Sequence, residues 1–256
     1  MEVFISKILS MGLKQDVIDK LLQTSLNRFQ AAFTTRNYDN QFNYEYFEQL
    51  GDLSINKFIV TYMSKKFPHL RSSQGVGVLA TIRILYGSKD MLSSLSEKYG
   101  FDKFIRFTST EAVDKSKFKD ILEDVFEAFF GALEYSIDNL YFNGMGYISV
   151  YNVLEKIFDS IDIKIDYKSL VDAKTRLNEL KDEFKLGIQY KDRRLPNGSF
   201  QTTLLVNNVI AGVGESTTKK MSQNIASENA LTWIEKNLNI VKDIPDRYKQ
   251  YSQITW

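Results

Sequence analysis

The chain has no cysteine, one histidine (His69), three prolines and 13 glycines among its 256 residues. Without cysteine, disulfides and thiolate metal sites are excluded, and an intracellular, cytoplasmic protein is expected. One imidazole cannot build a zinc site that needs several, and a Ser-His-Asp triad is disfavoured. Any metal chemistry must run on oxygen ligands, which suits Mg²⁺, Mn²⁺ or Ca²⁺. The scarcity of proline and glycine leaves long helices uninterrupted. No apolar run reaches the roughly 18–20 residues needed to span a bilayer, so no membrane association is expected. Met1 to Ser10 is too short, and with Glu2 and Lys7 too charged, to read as a signal peptide.

What is present is an ordinary globular composition, 43% hydrophobic and 25% charged, with a net charge of +1. The charge is uneven: about −2 over residues 1–165 and about +3 over 166–256. The sign suits an acidic catalytic part followed by a part that grips nucleic acid. Helical spacing runs through residues 1–36, 44–67, 76–86, 89–107, 117–140 and 147–159, with Pro68 closing the second of these. Residues 1–160 carry no strand pattern. From about residue 166 the character changes: a helix over 170–184, strands near 186–191, 200–206 and 208–213, and a helix over 217–237. Asn207-Asn208 is the expected hairpin turn. Gly75-Val76-Gly77 reads as a plain turn and Gly212-Val213-Gly214 as a strand end, since neither precedes Gly-Lys-Ser/Thr. Three segments follow: residues 1–162, 168–240, and a tail at 241–256.

The chemistry-bearing feature is acidic. Glu45, Glu48 and Asp52 are spaced by three and four residues, so a helix presents them on one face, and Asp124 and Glu127 are three apart on another. Two like charges about 4 Å apart near a protein surface repel by roughly 4 kcal/mol, so a fold that converges such groups tends to place a cation among them. Spacing alone favours a solvated acidic face. The setting reverses this: Asp124 and Glu127 flank Val125-Phe126 and lead into Ala128-Phe129-Phe130-Gly131-Ala132, an apolar, small-residue helix. Glu48, Asp52, Asp124 and Glu127 are then expected to ligate Mg²⁺, with Mn²⁺ able to substitute, or to hold metal-bound water. Glu45 is expected to orient water or a ligand. Such a site supports in-line phosphodiester hydrolysis.

Tyr44-Glu45-Tyr46-Phe47-Glu48-Gln49-Leu50-Gly51-Asp52 resembles the signature of the ribonuclease III family, roughly E-x-x-E-F-L-G-D. Asp124 to Ala132 is similar to that family's D-x-F-E-A-x-x-G-A motif, and Ala32 to Tyr38 to its A-F-T-H-R-S-Y segment. The resemblance implies an all-helical endonuclease domain that homodimerises, forms a valley for double-stranded RNA, and leaves 5′ phosphates with short 3′ overhangs. It carries the four metal-site carboxylates onto Glu48, Asp52, Asp124 and Glu127, and the auxiliary acid onto Glu45. Three positions depart from the family: Gln49 replaces an aromatic of the dimer contact, Ser72 falls where another acid is used, and Thr35 replaces a histidine.

Residues 168–240 resemble a double-stranded RNA-binding domain of α-β-β-β-α order. Asp172 to Glu179 matches its first helix, and Lys219-Lys220 the start of its last. The resemblance implies minor-groove contact by Thr175 and Glu179 and phosphate contact by Lys219 and Lys220. The loop Leu195 to Phe200 lacks the family's G-P-x-H stretch, and Gln223 stands at a position the family makes basic. Two functions of different class follow. One is a Mg²⁺-dependent endoribonuclease acting on double-stranded RNA. The other is a non-catalytic relative that binds duplexes or serves as a structural subunit of a ribonucleoprotein. The presence of all four carboxylates favours the enzyme.

Overall fold

The computed structural model describes residues 1–109, 115–241 and 243–249. Contacts divide the chain into two units, Met1–Ile163 and Lys164–Trp256.

The first unit is helical: α1 (Glu2–Leu9), α2 (Gln15–Ala32), α3 (Glu45–Lys66), α4 (Gly75–Tyr86), α5 (Lys89–Tyr99), α6 (Lys115–Leu140) and α7 (Gly146–Asp159), with short 3-10 turns at Pro68–Arg71 and Phe101–Phe104. Helix α6 is the axis. Phe126, Ala128, Phe129, Phe130, Ala132 and Leu133 are fully buried, because α2, α3, α5 and α7 all pack around it. A helix apolar around most of its circumference has to sit inside. Helix α3 has one apolar stripe (Ile55, Phe58, Ile59, Met63) and turns it to the core. The phenylalanines pack as an aromatic cluster: Phe101 lies 5.1 Å from Phe4, 5.2 Å from Phe129 and 5.4 Å from Phe126 between ring centres. Each fully buried ring contributes roughly 1.5–3 kcal/mol.

Two local expectations change. The helix expected over 89–107 stops at Gly100, whose φ of +83° forms a left-handed cap that only glycine adopts without strain. The glycines at 75 and 77 lie within the first turn of α4 rather than in a turn of their own. Gly75 is there because a Cβ would fall 2.4 Å from the His69 carbonyl oxygen. Among the described residues the first unit has, in place of strands, a single bridge between Thr34 and Arg106.

The second unit runs α8 (Tyr167–Leu170), α9 (Ala173–Phe184), β1 (Ile188–Arg194), β2 (Phe200–Val206), β3 (Val209–Ser216), α10 (Lys219–Leu238) and a turn of helix, α11 (Asp246–Lys249). The strands form an antiparallel sheet in the order β1-β2-β3, and Val206 faces Val209 across the two-residue turn. Asn207 and Asn208 have φ of +49° and +66°, the left-handed pair such a turn needs. Leu177, Leu204, Val206, Ala226, Ala230 and Ile234 form the core between sheet and helices. Gly212 and Gly214 lie inside β3, not at its end. A Cβ on either would fall within 2.3 Å of a carbonyl oxygen of α10, so their absence of side chain lets that helix lie on the sheet. The chain beyond residue 241 does not run free throughout: Tyr248 is buried, its ring 5.2 Å from that of Tyr167. Residues 250–256 of the expected tail lie outside the described residues. Among the described residues no helix is long and apolar enough to cross a membrane.

Candidate active site

Two glycines bring the acids together. A Cβ on Gly51 of α3 would fall 1.8 Å from the Glu127 carbonyl oxygen, and one on Gly131 of α6 would fall 1.9 Å from that of Phe47. Backbone therefore lies on backbone where α3 crosses α6. Side chains at or within one turn of the contact, Glu48 and Asp52 on α3 and Asp124 and Glu127 on α6, are forced into one electrostatic neighbourhood. The glycines in the two motifs are as much a part of the site as the acids.

Glu127 is 7% exposed and makes no ion pair among the described residues. Burial pushes its carboxyl up to about 9, and the charges of Asp52, Glu123, Glu48 and Asp124 push the same way. Glu48 rises to about 7, again through burial first and then through Asp124, Glu45, Glu123 and Asp52. Asp124 is raised by burial, partly offset by the Tyr44 hydroxyl, which donates to its Oδ2 across 2.8 Å. Asp52 is held by Asn56, whose Nδ2 donates to both the Asp52 side chain (2.6 Å) and carbonyl (2.9 Å). Arg83 Nη1 in turn donates to Asn56 Oδ1 at 3.3 Å. Glu45 sits at the rim, ion-paired with Arg36 at 3.2 Å, both side chains at least half exposed. Its charge still reaches Glu48.

The sequence analysis missed three participants. Glu123 adds its charge to both Glu48 and Glu127, and lies 3.7 Å from Lys89, which also holds Asp120 at 2.6 Å. Glu123 lies outside the family motif, one turn before Glu127 on α6. Tyr44 and Asn56 are the other two: each orients an acid from a position that reads as an unremarkable helix residue.

The donor set fits a hydrated divalent cation. It offers only hard carboxylate oxygens, and among the described residues no lysine or arginine pairs with the buried Glu127. Among the described residues, no three or more acidic or histidine side chains close to direct chelating distance.

In the second unit, Asp172 caps α9 by accepting from the Thr175 backbone at 3.1 Å, and the Thr175 hydroxyl donates back to it at 2.7 Å. Glu179, partly buried one turn later, accepts a hydrogen bond from the Tyr167 hydroxyl. Lys219 and Lys220 open α10 on exposed positions behind the Thr218 cap. Lys219 is ion-paired with Asp192 of β1 at 2.9 Å. Gln49 is exposed on α3 between Tyr46 (58% exposed) and Leu53 (68% exposed).

Helices crossing at an acidic site, followed by a small α-β-β-β-α unit, define a ribonuclease with a duplex-RNA-binding module. Residues 45–136 match the model of the ribonuclease III domain, and residues 173–234 that of the double-stranded RNA binding motif. A putative ribonuclease 3 of Invertebrate iridescent virus 6 is 40% identical over an alignment of 274 positions, covering 96% of this chain and 91% of that protein. A putative ribonuclease 3 of Frog virus 3 (isolate Goorha) is 38% identical over 66% of this chain and 47% of its own length. The crystal structure of the nuclease domain of ribonuclease III from Campylobacter jejuni covers 63% of this chain and 96% of that one, at 18% identity and a TM-score of 0.48. The chain belongs to the ribonuclease III family of endoribonucleases.

Proposed function

We propose that this chain hydrolyses phosphodiester bonds of double-stranded RNA with bound Mg²⁺, or Mn²⁺ in its place, leaving 5′ phosphates and short 3′ overhangs. The observation that carries this reading is Glu127: a buried acid, unpaired by any base among the described residues, set among four other carboxylates at the crossing of two helices.

Glu48, Asp52, Asp124 and Glu127 would hold the metal, partly through its waters. Bound there, Mg²⁺ would lower the pKa of a coordinated water and balance charge developing on the phosphate. The protein's own part is to hold those acids in place. Tyr44 fixes one oxygen of Asp124, and Asn56, tied to Arg83, fixes Asp52. In the metal-free protein burial favours the protonated form of Glu127 at neutral pH and raises Glu48 to about 7, so arriving positive charge favours release of their protons. Glu45, on the rim, orients water or a ligand.

Residues 1–162 act as the catalytic domain, residues 168–240 as the double-stranded RNA-binding domain, and 241–256 as a tail. Thr175 and Glu179 face the minor groove, while Lys219 and Lys220 contact phosphates at a helix N-terminus that itself favours anions. Homodimerisation through the catalytic domain is supported by the exposed strip Tyr46, Gln49 and Leu53 on α3, an apolar surface interrupted by one amide.

The test is a labelled long RNA duplex and its single strands, incubated with the purified protein with and without Mg²⁺. Cleavage of the duplex alone, only with metal, and ending in 5′ phosphates is the expected result. The rival reading, a duplex-binding or structural subunit without activity, is favoured by Gln49, which stands where the family has an aromatic of the dimer contact. Duplex binding with no cleavage in either Mg²⁺ or Mn²⁺ would establish the rival.

A further inference from the structure

We propose that Asp192 sets the strength of RNA binding by holding Lys219 away from phosphate, so that the duplex-binding unit is built to grip below its capacity. The inference rests on the reading above, in which the start of α10 meets the RNA backbone.

Three donors, making four contacts, fasten the Asp192 carboxylate in place. Lys219 Nζ lies 2.9 Å from its Oδ2, and Thr202 Oγ1 donates to its Oδ1 at 2.8 Å. Gln223 Nε2 donates to both oxygens, at 3.2 and 3.0 Å. Lys174 Nζ then donates to the Gln223 Oε1 at 2.8 Å, which fixes the orientation of the amide. Burial raises the Asp192 carboxyl, and these partners more than offset it, leaving it below its ordinary value. The residue therefore stays charged at any pH at which the protein works.

The consequence is electrostatic. A lysine that neutralises a phosphate releases about one counterion's worth of binding strength, and adds roughly one unit to the slope of log affinity against log salt. Lys219 must leave Asp192 to do so, or share its charge with an acid that repels the same phosphate. Asp192 is 20% exposed at its side chain while Lys219 is 57% exposed, so the acid is the more sheltered member of the pair. Gln223 has the complementary part. A neutral amide satisfies Asp192 without competing for the pairing, which leaves Lys219 as its counter-ion.

The experiment measures binding of the full chain to a 30-base-pair RNA duplex by fluorescence anisotropy across a salt series, in chelator so that no strand is cut. Asp192→Asn keeps the shape and acceptor of the side chain and removes its charge. It is expected to tighten binding about three- to tenfold and to steepen the salt slope by about one unit. Asp192→Asn with Lys219→Ala is expected to bind no better than Lys219→Ala alone, because the gain passes through Lys219. A structural role for Asp192 would instead weaken binding, or leave the slope unchanged. Either result in a variant with an unaltered melting temperature overturns the inference. Should Asp192→Asn fold poorly, Asp192→Ser serves the same comparison and is read by the slope. If Lys219→Ala with Lys220→Ala binds as the parent does, the RNA-contact reading itself fails; if it binds more weakly while Asp192→Asn gains nothing, only the present inference fails.

Discussion

The hydroxyl of Tyr44, the residue before α3, donates to Asp124 of α6 across 2.8 Å, joining positions 80 residues apart. It gives one oxygen of that acid a fixed direction and leaves the other for a ligand. Tyr44→Phe should keep the fold, since only an oxygen is lost, and raise the Mg²⁺ concentration for half-maximal cleavage by about tenfold, the lower end for loss of a partner that orients a metal ligand. A Mg²⁺ titration of cleavage checks this; an unchanged midpoint would detach Tyr44 from the site.

Acidity predicts a pH-dependent stability of opposite sign to that of an ordinary salt-bridged acid. A carboxyl whose pKa rises on folding binds protons more tightly folded than unfolded. Its stabilising effect is complete below the ordinary value near 4.5 and is lost as pH climbs, to about 7 for Glu48 and about 9 for Glu127. In chelator the melting temperature of the first unit should therefore fall between pH 6 and pH 9. Added Mg²⁺ should raise it most at the alkaline end, where the acids have lost their protons. A melting temperature that climbs with pH in chelator would contradict this account of the cluster.

Glu127→Gln separates stability from activity. Replacing a buried acid by its neutral isostere should abolish cleavage while leaving duplex binding intact. At pH 8 in chelator it should stabilise the protein by at least about 1.4 kcal/mol, the equivalent of one pKa unit. Glu45→Ala, at the exposed rim, should slow cleavage without abolishing it. The Arg36–Glu45 pair is exposed enough that either loss changes stability by less than about 1 kcal/mol. Parallel melting curves and cleavage assays decide both statements.

Gly51→Ala should be more damaging than its size suggests. The added methyl would meet the Glu127 carbonyl oxygen, and backbone cannot swing aside as a side chain can. Forcing α3 from α6 should destabilise the first unit by about 1–3 kcal/mol or more. It should also lower activity beyond what the lost stability accounts for, because the acids on the two helices separate. Cleavage measured well below the variant's melting temperature tests this.

Much of the protein is legible in its sequence. The spacing of Glu45, Glu48 and Asp52, and of Asp124 and Glu127, assigns them to helix faces, because helical periodicity is a local property. The period-2 segments before and after Asn207-Asn208 mark the sheet and its turn for the same reason. Less local are the limits of elements: β1 begins at Ile188 and runs to Arg194, past the apolar residues that announce it, because pairing with Phe200–Val206 rather than its own composition extends it. Only the tertiary structure could decide which acids share a field. Asp52 of α3 reaches Glu127 of α6 because Gly51 lets the two helices touch. Glu45 stands at the rim because Arg36 holds it there. Lys219 is tied down because the fold brings Asp192 of β1 within 2.9 Å of its ammonium. Charge acts through space at distances of a few ångströms, and sequence separation carries no information about which charges will be that near.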